Sequence, residues 1–541
     1  MTAAASTLFA GAPVWPDGVA DWHAALARWG PTGAAAHAQG PFALADASTG
    51  VATVDRFAVQ TLCWRHTPDG VRVALRADAL GGSEIDPQAL FDYLYFHVIP
   101  APRTIFRGVQ RLPAGHVLVD GEGGPQAQPS WRPRFEPRAK PDFAALAQRF
   151  RRLLSDAVRA ELGQGTPACF LSGGTDSSTI AGMLRQVAGQ AHTYSIGFDA
   201  EGYDEMEYAR IAARHFGTVH HEYYVTPDDL VRHIPAVAAA YDQPFGNSSA
   251  LPAYLCALKA RGDGVTKLLA GDGGDELFGG NARYATQQIY GHYARVPQVL
   301  RRGLIEPLLA VPGAGAVNLL RRGRNYVRDA NTPLPDRTQG FNLLRRLGMG
   351  QVLTPEFRAA VDEKSVLQQQ RDVWALPEAG SELDRMLAFD WRYTLAEADL
   401  PKVRGTCALA GIDVGFPMLD GRLVDFSMHL PADYKLRGQQ LRWFFKEALR
   451  GFLPDEIIAK TKKGFGLPFG VWALRHAPLM ALASDSARGF AARGVVQPGF
   501  VDQLLRERLP EAPGYYGEMV WILMMAEQWL RHHAPDWRLR T

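Results

Sequence analysis

The stretch Phe170-Leu-Ser-Gly-Gly-Thr-Asp-Ser-Ser-Thr-Ile180 decides the fold of this chain. An apolar run from Ala168 to Leu171 leads into it, and a helix-compatible run from Thr179 to Val187 follows. This order predicts a strand, a tight loop and a helix. The two glycines tolerate backbone angles that other residues resist, and consecutive N–H groups at a helix N-terminus attract an anion. The sequence therefore predicts an anion cradle, with further donors from the hydroxyls of Ser172, Ser177 and Ser178.

Asp176 is the unusual member of this loop, because a carboxylate repels phosphate unless a cation bridges the two. Mg²⁺ forms such bridges, usually with one or two protein carboxylates and phosphate oxygens. The lysine of the Walker motif G-x-x-x-x-G-K-[ST] is absent, so the loop belongs to another class. A plain glycine-serine turn between a strand and a helix is the alternative interpretation.

Composition narrows the class of protein. A chain of 541 residues predicts two to four domains, and a net charge of +2 gives no general reason to expect nucleic acid as a partner. The four cysteines are widely spaced and form no C-x-x-C pair, which argues against zinc and fits a reducing cytosol. No apolar run reaches membrane-spanning length. We therefore expect a cytoplasmic protein without a nucleic-acid or membrane partner.

Alternating strand and helix patterns follow the first loop. Further strands are predicted at Ala191 to Phe198, Val219 to Tyr224 and Val265 to Ala270, with helices between them, and the pattern is largely helical from Asn281 onwards. This alternation predicts an α/β fold with a doubly wound parallel sheet and a helical C-terminal part. Short strands before the loop predict a small α+β domain. The expected division is a first domain over residues 1–121, a Gly- and Pro-rich linker over 122–141 and a second domain over 142–541.

The fourth strand runs into a second glycine and carboxylate loop, Ala270-Gly-Asp-Gly-Gly-Asp-Glu-Leu-Phe-Gly-Gly280. Ligands of doubly wound sheets bind beyond the carboxyl ends of the strands, so both loops are expected at one site. Asp275 is a candidate to hold Mg²⁺ together with Asp176. Asp272 is a candidate general base, or a group that orients an amine. The alternative is that these acids only cap a helix and suit its dipole.

The two loops together resemble a known family. The first is similar to the S-G-G-x-D-S loop of ATP pyrophosphatases, and the pair looks like the synthetase domain of asparagine synthetases. The resemblance extends to Ser195-Ile-Gly-Phe198, Asp242-Gln-Pro-Phe-Gly-Asn-Ser-Ser249 and Lys462-Lys-Gly-Phe-Gly466. It covers roughly residues 140–480, and weaker similarity reaches back to about residue 20. The family includes β-lactam synthetases and lasso-peptide cyclases.

The resemblance implies an adenine nucleotide α-hydrolase-like fold and an ATP- and Mg²⁺-dependent reaction. A substrate carboxylate attacks the α-phosphate of ATP, pyrophosphate leaves, and an amine then displaces AMP from the acyl-adenylate. The implied metal ligands are Asp176 and Asp275, and the implied catalytic residues are Lys462 and Asp272. The implied ATP-binding residues are Leu171, Ser172, Gly173, Gly174, Asp176, Ser177, Ser178, Ser195, Ile196, Gly197 and Gly271.

Lys462 matches the family lysine that neutralises charge on the attacked phosphorus and the leaving group. Lys463 beside it is the second candidate for this role. The alternative is a solvated surface lysine, which is the usual environment of this residue type.

Departures from the family pattern limit the functional prediction. Family members that hydrolyse glutamine carry a cysteine directly after the initiator Met, whereas this chain has Thr2, a weaker nucleophile. We therefore expect a truncated, degenerate Ntn glutaminase-like layer without glutaminase activity. Arg404-Gly405 replaces the usual Asp-Arg, and Gly415 replaces an arginine whose fork could pair a substrate carboxylate. The change at Gly415 weakens the case for aspartate as substrate.

Three functions remain open. The first is an amide-forming ligase acting on a small-molecule or peptide carboxylate, with nitrogen from free ammonia, a separate amidotransferase or an amine on the substrate. The second is a cyclase that closes a β-lactam or a lasso-type macrolactam during natural-product or peptide maturation. The third is a nucleotide-binding protein without catalysis, against which the intact loop residues argue.

Overall fold

The computed structural model describes residues 7–82, 84–121, 123–137, 142–294, 296–310, 318–461, 464 and 466–540. The strands in chain order are β1 (Thr7–Gly11), β2 (Phe42–Asp46), β3 (Val51–Val54), β4 (Cys63–Thr67), β5 (Gly70–Ala74), β6 (Gln110–Arg111), β7 (His116–Gly121), β8 (Gly124–Pro129), β9 (Ala168–Phe170), β10 (His192–Phe198), β11 (Val219–Val225), β12 (Lys267–Leu269), β13 (Asp413–Gly415), β14 (Leu436–Arg437) and β15 (Gln440–Leu441).

The first helices are α1 (Trp22–His37), α2 (Pro87–Phe96), α3 (Phe143–Ala160), α4 (Thr175–Ala188), α5 (Met206–Phe216), α6 (Pro227–Ala240), α7 (Ala250–Gly262), α8 (Gly274–Phe278), α9 (Ala282–Ala294), α10 (Gln298–Leu300), α11 (Glu306–Ala310), α12 (Asn318–Asn331), α13 (Leu343–Leu347) and α14 (Met349–Val352). The remaining α-helices are α15 (Pro355–Ala359), α16 (Ser365–Ala375), α17 (Glu382–Asp390), α18 (Leu400–Ala410), α19 (Gly421–Met428), α20 (Ala432–Lys435), α21 (Trp443–Ala448), α22 (Asp455–Ala459), α23 (Phe469–Ala473), α24 (Ala477–Ala491), α25 (Pro498–Gln503), α26 (Leu509–Glu511) and α27 (Pro513–His533). A π-helical segment, Trp391–Asp399, joins α17 to α18.

A parallel sheet with the strand order β11-β10-β9-β12-β13 lies at the centre of the larger unit. In chain order of its strands this is 3-2-1-4-5, so the direction of winding reverses between β9 and β12. The loops after these two strands therefore leave the sheet side by side, at the point where doubly wound sheets bind ligands. The predicted α/β class with a parallel sheet is confirmed.

Helix α3 shows how the sequence pattern produces the packing. Leu146, Phe150, Leu154 and Val158 are four residues apart and all buried, so they form one apolar stripe. The side chain of Asp142 accepts hydrogen bonds from two N–H groups of the first turn, which fixes where the helix begins. The helix ends at Ala160.

The smaller unit has an antiparallel sheet with the order β1-β2-β3-β7-β8 and a second sheet with the order β5-β4-β6. Strand β8 lies inside the segment expected as a linker, where it pairs with β7 along its whole length. The N-terminal sheet thus extends past residue 121. The division of the chain into domains stays a prediction.

Strand β13 was not among the strands predicted from the sequence. Its three residues, Asp413 to Gly415, pair in parallel with β12 and complete the central sheet. Pairing with a buried neighbour stabilises a strand that aspartate and glycine disfavour. Among the described residues, no helix is long and apolar enough to cross a membrane.

A close contact between helices α23 and α27 provides a test of the packing. A Cβ on Gly517 would lie 2.8 Å from the Cα of Gly470. We expect Gly517→Ala to lower the free energy of unfolding by about 1–3 kcal/mol, because the helices would have to separate. The control is Gly499→Ala in α25, where a Cβ meets nothing within 4 Å. It should raise stability by up to about 1 kcal/mol through helix propensity. Thermal unfolding followed by circular dichroism checks both, and equal shifts in one direction would contradict the packing.

Candidate active site

A cleft of about 770 Å³ opens beyond the carboxyl ends of β9, β10 and β12. It is lined by most of the predicted site residues, namely Leu171, Ser172, Gly174, Asp176, Ser177, Ile196, Gly271, Asp272 and Asp275. The opposite wall comes from the region after β14, including Arg442, Lys446 and Lys460. The cleft therefore joins the two predicted loops with a basic wall that is distant from them in sequence.

The first loop is held by its own hydroxyl groups. The N–H of Ser172 donates to the Oγ of Ser177 at 3.1 Å, and the two hydroxyl oxygens lie 3.0 Å apart. Gly173 has a φ of +70°, and a Cβ there would lie 2.5 Å from the backbone nitrogen of Ala209. Only glycine meets both conditions. Helix α4 begins directly afterwards, so Asp176 lies in its first turn.

The two loops touch through glycines. A Cβ on Gly271 would lie 2.9 Å from the backbone nitrogen of Ser177, and a Cβ on Gly274 would overlap the carboxylate of Asp176. Glycine at both positions is what lets the acidic loop reach the first loop. The approach brings the carboxylates of Asp176 and Asp275 together.

A guanidinium lies between these carboxylates. Nη2 of Arg442 is 2.5 Å from Oδ2 of Asp176 and also contacts Oδ1 of Asp275. Nη1 donates to Oδ1 of Asp176 at 2.8 Å and to Oγ1 of Thr175 at 2.7 Å. Arg442 is buried and has a φ of +56°, so its position is tightly constrained. Sequence reasoning missed Arg442, because nothing near residue 442 indicates that it reaches Asp176.

The carboxylate pair also fits a magnesium ion. Both side chains present an oxygen to the same nitrogen atom, so one small cation could replace that nitrogen and contact both. Among the described residues, no group of three or more His, Cys, Asp or Glu side chains is arranged to hold a metal. The donor set therefore suits Mg²⁺ that keeps substrate phosphates and water as its other ligands, as is usual for this ion.

A second charged group lies at the other end of the acidic loop. Nζ of Lys402 is 2.9 Å from Oδ1 of Asp399 and 3.7 Å from Oδ1 of Asp272. Burial raises the pKa of Asp272 to about 6, with Lys402 opposing and Asp399 adding to the shift. Burial alone would lower the pKa of Lys402, but the Asp399 and Asp272 carboxylates raise it above its ordinary value. Lys402 is therefore a cation, and Asp272 can gain or lose a proton near neutral pH.

Comparison of the sequence with known proteins identifies its family. A family profile described as Asparagine synthase matches residues 149–531.

The chain belongs to the asparagine synthase family.

A second profile, described as Glutamine amidotransferase domain, matches residues 23–131. Asparagine synthetase [glutamine-hydrolyzing] 1 of Bacillus subtilis is 24% identical over 77% of this chain and 65% of its own length. Asparagine synthetase B [glutamine-hydrolyzing] of Escherichia coli is 30% identical over 40% of this chain and 39% of its own. The chain thus spans about two thirds of the Bacillus relative and a smaller part of the other.

Four of the residues expected to bind ATP lie behind the cleft wall. Ser178 is fully buried, and the Oγ of Ser195 donates to the carbonyl of Leu171. A Cβ on Gly197 would lie 2.6 Å from the ring of Tyr224. These residues, together with Gly173, shape the loop and the strand end rather than facing the cleft.

The region of the asparagine synthase motif around Lys462 is described only in part. Lys462 and Lys463 lie outside the described residues. Lys460 lies in the cleft, where its Nζ donates to the carbonyl of Gly173 at 3.3 Å and pairs with Glu205 at 3.0 Å. A lysine two residues before this motif therefore contacts the first loop, and the role of Lys462 stays a prediction.

Arg404, Gly405 and Gly415, which depart from the asparagine synthase pattern, are not among the residues that line the cleft. A Cβ on Gly415 would point at the carboxylate of Glu161, which pairs with Lys267 at 2.6 Å. A Cβ on Gly405 would lie 2.6 Å from the ring of Tyr241, and Arg404 donates to Thr61 of the N-terminal unit at 3.2 Å. The argument against aspartate that was drawn from Gly415 stays a prediction.

Arg442 provides a test of the cation site. In Arg442→Gln two partly exposed carboxylates face each other without a cation. We expect the free energy of unfolding to fall by about 1–3 kcal/mol, less than the ~3–5 kcal/mol of a fully buried pair. Millimolar MgCl₂ should then raise the unfolding temperature of the variant more than that of the wild type, because the ion replaces the guanidinium. Arg437→Gln, an exposed change in the same hairpin, is the control. The same magnesium response in all three proteins would contradict a shared cation site.

Proposed function

We propose that this protein is an ATP-dependent amide-forming ligase that activates a carboxylate as an acyl-adenylate and releases pyrophosphate and then AMP. It would not hydrolyse glutamine itself. The observation that carries the proposal is the meeting of Asp176 and Asp275, from two glycine loops, at one nitrogen of Arg442. Two carboxylates in an anion cradle would repel a phosphate chain. A Mg²⁺ ion that binds both the carboxylates and the phosphate oxygens removes this repulsion.

The cleft offers a place for each part of the nucleotide. Leu171, Ile196 and Pro252 supply an apolar wall for the base. The Ser172 to Ser177 loop supplies donors for the phosphates, and Mg²⁺ held by Asp176 and Asp275 would supply positive charge where it develops during attack. By the family resemblance, Lys462 would neutralise the attacked phosphorus and the leaving pyrophosphate.

Arg442 would take part in the same step. With Mg²⁺ held by Asp176 and Asp275, the Arg442 guanidinium would no longer be needed to neutralise them and could pair with phosphate oxygens of the nucleotide. Planar guanidinium groups pair well with phosphate oxygens. Lys446 lines the cleft one helical turn later, and burial together with the Arg442 charge lowers its pKa. The basic wall would thus stabilise the departing pyrophosphate.

The acyl-transfer end of the site would lie at Asp272. An amine attacks only after it loses a proton, and a carboxylate with a pKa near 6 can accept that proton at neutral pH. Lys402 and Asp399 would hold Asp272 in place. The amine would come from free ammonia, from a separate amidotransferase or from the carboxylate substrate.

The last source corresponds to a second candidate function, a cyclase that forms an intramolecular β-lactam or lasso-type macrolactam. The cysteines favour it, because all four of them are buried, and a cyclase of this kind needs no ammonia released from glutamine by an exposed thiolate. Turnover without any added amine would distinguish the cyclase from the intermolecular ligase.

The central experiment measures AMP and pyrophosphate release from ATP with a library of carboxylates, with and without ammonium. We expect both products from the wild type and none from Asp176→Asn, because the amide cannot neutralise Mg²⁺. Asp228→Asn, an exposed carboxylate on α6, is the matched control and should retain activity. ADP and orthophosphate in place of AMP and pyrophosphate would refute the adenylation step, and full activity of Asp176→Asn would refute the metal role.

The pH profile tests the role of Asp272. If ionised Asp272 is the base, kcat/KM should rise with pH and level off above about 6, where the pKa of Asp272 lies. Lys402→Met removes a cation that opposes this raised pKa, so the acidic limb should move to higher pH. Lys446→Met changes a cleft lysine that is not among the main charges shifting the pKa of Asp272, and it should leave the limb in place. A limb that moves to lower pH in Lys402→Met would contradict the assignment.

A further inference from the structure

The π-helical segment Trp391–Asp399 connects both ends of the acidic loop. At its start, Nε1 of Trp391 donates to the carbonyl of Glu276 at 2.9 Å, next to the metal-binding Asp275. At its end, Asp399 holds Lys402 beside Asp272. A change in the position of this segment would therefore move Asp399 and Lys402 relative to Asp272.

The N-terminal unit contacts this segment through a buried cluster of charged side chains. Nη2 of Arg111, from β6, lies 2.7 Å from Oε2 of Glu397. The other oxygen of Glu397 accepts from the N–H of Ala101 at 3.2 Å and lies 3.0 Å from Nη2 of Arg392. Arg392 in turn donates to the carbonyl of Ala101 at 2.6 Å. Arg111 and Glu397 are 8% and 4% exposed, so neither has water as an alternative partner.

Aromatic packing holds the other end of the segment. Trp391 stacks on Trp131 with ring centroids 6.1 Å apart and an angle of 15° between the planes. Phe57 and Phe135 contact the same indole at 5.7 and 5.5 Å. All three partners precede the large domain in sequence.

Two physical arguments indicate that these contacts fix the position of the π-helical segment. A π-helix is rare and needs tertiary support, because its hydrogen bonds are less favourable than those of an α-helix. A buried ion pair has few geometries in which the charges stay satisfied, so it sets position more than it adds stability. Glu397 is two residues from Asp399 and five from Lys402, so a fixed Glu397 fixes both of them.

We propose that the N-terminal unit serves the synthetase site by holding this segment, with Arg111 and Glu397 as positioning residues for the Asp399, Lys402 and Asp272 group. The inference rests on the proposed function for its kinetic consequence. It assigns a task to the N-terminal unit that does not depend on glutamine hydrolysis. Neither Arg111 nor Glu397 lines the cleft, so both act through Asp399 and Lys402.

The test compares Glu397→Gln with Asp425→Asn. Both replace an acid of the large domain that pairs with an N-terminal arginine, since Asp425 lies 2.8 Å from Nη1 of Arg56. Only Glu397 belongs to the π-helical segment. Arg111→Lys keeps the positive charge and serves as the conservative variant.

Hydrogen exchange of the full chain without substrates is the first readout. We expect faster exchange over residues 391–402 in Glu397→Gln, with no change there in Asp425→Asn and a smaller change in Arg111→Lys. This arm does not depend on any activity. Equal exchange of that segment in Glu397→Gln and the wild type would overturn the proposal.

The second readout separates the two half-reactions. In Glu397→Gln, ATP–pyrophosphate exchange and the KM for ATP should stay within about twofold of the wild type, while kcat for amide formation falls by about 10–100-fold, as expected for a misplaced catalytic group. Equal loss in both half-reactions would mean a general structural defect and would overturn the positioning role. A wild type without pyrophosphate exchange would refute the proposed function, while the hydrogen-exchange arm would still decide the inference.

Discussion

The arrangement of this site depends on one electrostatic constraint, the approach of two carboxylates that need a cation between them. Asp176 and Asp275 belong to loops about a hundred residues apart in sequence, yet both contact a single guanidinium nitrogen. Without a positive charge they would repel each other, and repulsion is strong where water is partly excluded. The reversal of strand order between β9 and β12 and the glycines of both loops bring them together.

Arg442 satisfies this constraint within the chain itself. The guanidinium neutralises both acids and also donates to Thr175, which joins the first loop to the opposite wall of the cleft. Entry of a magnesium-bound phosphate chain would exchange one cation for another and release Arg442 toward the phosphates. Binding of the ion would therefore be coupled to movement of Arg442. The hairpin β14–β15, which ends next to Arg442, is the element that must adapt.

Local sequence signals predicted the parts of the fold that local forces decide. Alternating strand and helix patterns, with glycine loops after two apolar strands, predicted the parallel sheet. The prediction failed where tertiary pairing decides: β13 is three residues long and exists because β12 lies beside it, and β8 pairs across a stretch with linker composition. Arg442 and Asp399 were missed for the same reason, since each takes part in the site through a contact distant in sequence. The direction of the Gly415 Cβ could not be predicted either, because it follows from strand register and not from its distance to a proline.

The most direct test of the central claim is a crystal structure with Mg²⁺ and an ATP analogue that carries a methylene bridge between the α and β phosphates. The account predicts one ion with an oxygen from Asp176, an oxygen from Asp275 and phosphate oxygens among its ligands, and a guanidinium of Arg442 that has moved to the phosphate chain. An ion bound elsewhere, with Arg442 still joined to both carboxylates, would contradict it.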